Sequence, residues 1–390
     1  MNRRDCLSAL LTLPLAATLG CASRGPSAPA ASATPRTRWK VAGSEGLDAL
    51  CFLNPLSGDS FYTRYYAEEL ARFTPSFATD AVTTLQQLKD SSKAQDRLMG
   101  PFLCLVFSAG PTGTLVDLRG ALASAEAQLL PGFRASPYWE PEAWDWFLTA
   151  RPALARVLEA LAAAGFPAFR RDVLGDSVEQ RAAALRQRLA GVDVIAEQER
   201  LLGHPLQEDI TIDLLHFSKP HGIKVTGQRF LTHLSYPDEL VIRNAAHEIL
   251  HPPFDKEHPT IRAAMEVLHR DSLLTRIVAD HDPSFGYTTL EGLFDEDTAE
   301  ALEQLINERL GVAVPARERW RRADDGMHVL AAGLYGLLKA DGFERTGGAI
   351  QEWLGRAAHD GRLEPASLHA SAAAVLELPP ERLWTPPAKP

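Results

Sequence analysis

The chain has 390 residues, 45% of them hydrophobic and 23% charged. That composition excludes a mostly disordered, collagen-like or multi-span membrane chain. Forty Lys and Arg stand against 50 Asp and Glu, a formal charge of −10. No basic block interrupts this acidic background, which argues against nucleic acid as a partner, because phosphate binding needs a concentrated positive surface. The four cysteines form no CxxC or CxxH. That excludes a Cys-rich zinc ribbon and a disulfide-dense scaffold.

Residues 1–21 read MNRRDCLSALLTLPLAATLGC. A short basic start, Arg3 and Arg4, precedes an apolar run too short to span a bilayer but of signal-peptide length. The paired arginines resemble a twin-arginine export signal. Thr18-Leu19-Gly20-Cys21 resembles a lipoprotein processing site, in which Cys21 would carry the lipid and hold the mature protein to a membrane. The plainer alternative is a secretory signal cleaved nearby. Either reading places the mature protein outside the cytoplasm, in the periplasm or at the outer membrane or cell surface. Residues 22–38, rich in Ala, Ser and Pro, have too little apolar mass to fold and read as a flexible tether. Cys51 and Cys104 remain in the body, either as a disulfide or as two buried free thiols.

From 39 to about 205 the pattern is helical. Leu70, Phe73, Leu85, Leu88, Leu154, Leu158, Leu161, Leu185 and Leu189 recur at three- and four-residue spacings. Pro131, Pro137 and Pro141 punctuate a segment whose Trp139, Trp144 and Trp146 should anchor it to a core. The apolar run 102–107 fits either a buried strand or a helix fragment. Near Asp209 the pattern changes. Residues 210–217 alternate as a strand does, and 222–234 read as one or two more strands around a bend at Gly227. A helix then opens at Pro237, with Asp238 and Glu239 at its positive end, and should run to about His251, where Pro252 and Pro253 stop it. The remainder is mainly helical. The expected fold is therefore α+β and mainly helical: a helical region at 39–205, then a domain at 206–390 with a small sheet.

His247-Glu248-Ile249-Leu250-His251 is an HExxH on that helix. Residues four apart share a helical face, so both imidazoles can reach one metal ion. Glu248 can then take a proton from water that zinc has acidified. Zincin metallopeptidases present their first two ligands on such a helix beside strands. A third ligand must come from elsewhere. Close to the motif, Asp255, Glu257 and His258 are available, but the chain reads HEILHPPFDKEH and lacks the glycine of the metzincin turn.

The other source is a later helix. Glu296 and Glu300 are four apart in EDTAEALEQLINERL. Gluzincins resembling thermolysin place a ligand glutamate and a second acidic residue at this spacing, the second holding a ligand histidine by its outer N–H. The resemblance makes Glu296 the third ligand and Glu300 the orienting residue. Against it, the apolar stripe of that helix (Ala299, Leu302, Leu305, Ile306) points elsewhere. Glu291 lies closer to the stripe, but Thr288-x-x-Glu291 also reads as a capping box. Tyr287, His328 and Tyr335 are candidates by residue type for steadying a reaction oxyanion, and His281 is ambiguous.

HEILHPP with its downstream glutamate helix resembles a family of bacterial exported proteins with gluzincin-like HExxH domains. The segment LDALCFLNPLSGDSFYTRYYAEELARF, 47–73, is similar to their N-terminal part. The resemblance covers most of 40–310 and implies a zincin-like metallopeptidase fold without supplying a substrate. The expected function is a Zn2+-dependent hydrolase of peptide or protein substrates in the cell envelope. The rival expectation is an envelope binding or assembly lipoprotein that keeps the fold without turnover.

Overall fold

The computed structural model describes residues 34–386, apart from 96, 283, 284 and 286. The signal segment with Arg3, Arg4 and Cys21, and the first part of the tether, lie outside the described residues. Strands β1 (Arg38–Gly43), β2 (Asp209–Leu215), β3 (Ile223–Lys224) and β4 (Arg229–His233) form one sheet in a mainly helical α+β chain, ordered β1-β2-β4-β3. β1 and β4 flank β2 in parallel, and β3 pairs antiparallel with β4 at the edge. Burial on both faces explains the apolar text of β2, as expected of an interior parallel strand. Between β3 and β4 the chain bends at Gly227, whose φ of +72° is a conformation a side chain resists.

Two expectations at the start of the body need correction. Residues 38–43 form a strand rather than the start of the helical region, because β2, more than 160 residues later, supplies the hydrogen-bonding partner. Only Val41 is buried in that strand, so its own text carries little strand signal. The last residues assigned to the tether are also anchored. The Thr37 backbone N–H and hydroxyl both donate to Asp193, and the Arg36 guanidinium pairs with Glu199 and Glu208.

The sheet separates two apolar cores. Side chains alternate along each strand, so Ile210, Ile212 and Leu214 enter one core while Leu215 enters the other. The first core includes the helices Ser177–Leu189 and Val194–Leu202 together with most of the C-terminal helices. The second gathers the earlier helices around Phe52, Phe73, Phe166 and Phe217. The boundary expected at 205/206 thus falls inside a core that both sides share. Residues 102–107 belong to the buried helix Met99–Phe107, the helical one of the two alternatives. It lies against helix Glu45–Leu56, where Cys51 and Cys104 are buried free thiols with sulfurs 3.7 Å apart. Trp139 and Trp144 cluster on Phe133 as expected of core anchors, with ring centroids 5.3 and 6.3 Å away. Among the described residues no single helix is long and apolar enough to cross a membrane.

Candidate metal centre

The motif helix spans Asp238–Glu248. Asp238 and Glu239 occupy its first turn, and Asp238 also pairs with Arg181 at 2.5 Å. At the other end the buried amide of Gln198 donates to the carbonyl of Ala246 at 3.0 Å, satisfying one of the helix's terminal acceptors. The helix stops earlier than expected. The last bond, Leu250 N–H to His247 O at 3.0 Å, is already the tighter three-residue type, and His251 lies beyond the regular helix. Pro252 has no N–H to extend the ladder. The two imidazoles nevertheless converge, with Nε2 of His247 and Nε2 of His251 3.1 Å apart.

The partner helix is Leu290–Leu310, packed against the motif helix. Its N-cap is Thr289, whose hydroxyl accepts from Gly292 N–H at 3.1 Å. The expected box at Thr288 and Glu291 therefore does not close this helix. From Leu290 to Asn307 nearly every residue is buried, polar ones included. Glu296, Glu300, Glu303 and Asn307 follow one another at helical spacing and make a polar stripe inside the protein, while the leucines enter the core on other faces. The apolar stripe does point away from Glu296, as the sequence suggested, because this helix is covered on both sides.

Glu296 meets both histidines. Its Oε1 lies 3.3 Å from His247 Nε2, and its Oε2 lies 3.5 Å from His251 Nε2. For zinc bonded at about 2.0–2.2 Å, the edges of a tetrahedron are about 3.3–3.5 Å. The nearest approaches, 3.1 to 3.5 Å, are close to those lengths, with a different Glu296 oxygen facing each imidazole, and one donor atom from each of the three residues lies within 4.8 Å of the others. Two imidazoles and one carboxylate are also the donor set of a catalytic zinc site with its fourth position left open.

Each histidine has an acidic neighbour behind it. His247 Nδ1 is 3.1 Å from Glu303 Oε2, an acceptor for a proton on Nδ1 that would leave Nε2 to a metal ion. Glu303 is held in turn by Asn307 Nδ2 at 2.7 Å and by the Arg319 guanidinium. His251 Nδ1 faces Asp295 Oδ1 at 3.8 Å, and Lys256 Nζ binds the other oxygen of Asp295 at 2.7 Å. Glu300 accepts from Trp320 Nε1 at 2.9 Å and pairs with Arg319 at 2.5 Å. The residue that hydrogen-bonds His247 is thus Glu303, and Glu300 supports the arginine that braces it. Sequence reasoning missed Glu303. The available signal was its distance of seven residues from Glu296, two turns along one face.

The electrostatics favour a cation at this point. Burial pushes the His247 imidazolium toward losing its proton, yet Glu296, Glu303 and Glu248 outweigh burial and raise its pKa to about 10. Burial would raise the carboxyl of Asp295, but His251 and Lys256 hold it well below the usual range. Burial likewise opposes the charge on Glu303, and Arg319 and His247 overcome it. Glu248, 7% exposed, lines a cavity of about 470 Å³ together with His247, His251 and Glu296.

The other sequence candidates fall away from the three donors. Asp255 caps a turn by accepting from Glu257 N–H, Glu257 pairs with Arg262, and His258 caps the helix Pro259–Leu268. Glu291 is exposed and faces His269. The buried His281 ring bonds the carbonyls of Ile277 and Val278. His328 is held between Asp297 and Asp324 at 2.6 and 3.1 Å, and Tyr335 donates to Glu308. Of the three oxyanion candidates only Tyr287 lines the cavity, on left-handed backbone with φ of +55°.

Replacing Glu303 with Gln should weaken zinc binding about 10- to 100-fold, because His247 loses its charged acceptor. Replacing Glu300 with Gln should cost less. Competition against a chromogenic zinc chelator reads both, and an equal loss in the two variants would contradict the assignment of Glu303. No family model, curated protein or solved structure matches this chain.

Proposed function

We propose that this protein is a zinc-dependent peptide hydrolase of the cell envelope, held to a membrane through lipidated Cys21. The observation that carries the reading is the convergence of His247, His251 and Glu296, with one donor atom from each within 4.8 Å of the others, in a cavity that Glu248 also lines. The resemblance of the HExxH and its distant glutamate to gluzincins points the same way. A bound zinc ion supplies Lewis acidity, acidifying water and polarising a carbonyl.

The chain's own residues do the rest. Glu303 holds the His247 imidazole from behind, and the Asp295 carboxylate faces His251 across 3.8 Å. The Glu248 carboxylate takes a proton from the attacking water and returns it to the leaving amine as the C–N bond breaks. Tyr287, which lines the same cavity, would donate to the developing oxyanion. A peptide fits better than another acyl substrate because Ile223 and Lys224 of the edge strand β3 also border the cavity. An edge strand offers backbone donors and acceptors that an extended chain can pair with.

The decisive experiment is incubation of purified, zinc-loaded protein with a mixture of peptides, followed by mass spectrometry. New termini that appear with zinc and vanish with a chelator support the reading. Intact peptides at stoichiometric zinc count against it and favour the binding-protein alternative. Location has its own test. Cys21→Ala should move the protein from the membrane fraction to the soluble one, since the lipid chains on that cysteine are the anchor. Unchanged membrane association, with a mature N-terminus other than residue 21, would refute lipidation.

A further inference from the structure

Behind the metal-facing donors lies a second set. His247, Glu300 and Glu303 each offer a donor atom within 4.8 Å of the other two, and all three residues are buried. An imidazole nitrogen and two carboxylates are zinc ligands by type. His247 belongs to both sets. Its Nε2 faces Glu296 and His251, and its Nδ1 faces Glu303.

A cation already sits against this second set. Arg319, on the helix Ala316–Arg322, reaches Glu300 Oε2 with Nη2 at 2.5 Å and Glu303 Oε2 with the same nitrogen. One atom meeting both carboxylates is the arrangement a metal ion would make. The arginine side chain is 15% exposed and lies over the Trp320 ring, 5.9 Å from its centroid. The carboxylates are aimed by neutral donors: Asn307 Nδ2 to Glu303 Oε1 at 2.7 Å, and Trp320 Nε1 to Glu300 Oε2 at 2.9 Å. Two buried carboxylates this close repel each other unless a cation lies between them.

Resting on the zinc reading above, we propose that His247, Glu300 and Glu303 form a second cation position, filled by the chain's own Arg319, which keeps the centre to one metal ion. A guanidinium has donors only, so it asks no lone pair of His247 Nδ1. That nitrogen can keep a proton toward Glu303 and leave Nε2 to the metal. A metal ion in the same place would need the Nδ1 lone pair as well. In two-metal hydrolases a pair of ions clamps the attacking and leaving oxygens. A single ion leaves proton transfer to a carboxylate, the part given to Glu248. Arg319 is in these terms a positioning residue that sets how many ions the centre takes.

The test counts ions. Full-chain protein is equilibrated with excess cobalt(II), freed of unbound metal, and analysed for cobalt per chain, with the visible spectrum recorded alongside. Wild type should retain one cobalt. Arg319→Met should retain one more, with a changed spectrum, because His247 then bridges two ions. Arg319→Lys should stay at the wild-type count, since an ammonium refills the position. Arg319→Met with Glu300→Gln should also return to it, since the second set has lost a charged donor. Should the methionine variant not fold, Arg319→His carries the same test. An Arg319→Met count equal to wild type, an extra ion in the lysine or double variant, two ions in wild type, or failure of both the Met and His variants to fold even with cobalt present would each overturn the proposal. Peptide cleavage is assayed on the same samples. One-cobalt wild type that cleaves nothing sinks the hydrolase reading and leaves the ion count standing. A wild type that binds no metal sinks the zinc reading, and a cobalt gained by Arg319→Met alone still upholds the second position.

Discussion

Glu248→Gln should abolish most peptide hydrolysis and leave zinc binding in place. Glutamine has the size and hydrogen-bonding reach of glutamate but cannot take a proton from water. General-base catalysis is worth about 10²- to 10⁴-fold, and turnover should fall by that order. Zinc content should be preserved, because the three converging donors belong to His247, His251 and Glu296. Folding should also be preserved, since Glu248 lines the cavity and exchanges one buried polar group for another. Single-turnover rates and metal analysis on the same preparation check both halves. A variant that cleaves as fast as wild type would dismiss Glu248 as the base, and one that loses its zinc would make it a ligand.

Glu296→Ala should lose most of its zinc, by more than the roughly 10- to 100-fold that changes behind a ligand produce. The substitution removes a carboxylate that faces both imidazoles, at 3.3 and 3.5 Å. Two neutral histidines then remain without the charge or the third point of attachment. Bound zinc stabilises the folded state by mass action, about 2.7 kcal/mol at a free concentration 100 times Kd. The wild-type melting temperature should therefore rise with added zinc and fall with a chelator, and Glu296→Ala should show little of either response. Zinc loss after dialysis should follow the order Glu296, Glu303, Glu300, with Glu291 unaffected because it is exposed and faces His269. Normal zinc retention by Glu296→Ala, with loss in His258→Ala or Glu291→Ala, would require the centre to be redrawn around the residue that mattered.

Much of this centre is written locally in the chain. The HExxH carries its own geometry, because a helical turn places residues four apart together whatever surrounds them. The mainly helical class, the strands near 210 and 230, and the bend at Gly227 follow from periodicity and punctuation, which are also local. Glu296 could be named from a resemblance, although its helix offered an apolar stripe that pointed away. Three things depended on contacts distant in sequence. β1 is a strand only because β2 lies beside it more than 160 residues later, and its own text has one buried side chain. Glu303 braces His247 in place of Glu300 because the motif helix meets the partner helix two turns beyond Glu296, and no single-helix pattern encodes where two helices meet. The cavity joins an aromatic wall from one half of the chain to metal-facing acids from the other. Local preferences specify each helix and strand, whereas the relative placement of faces is set by burying two cores against one sheet, a property of the whole chain.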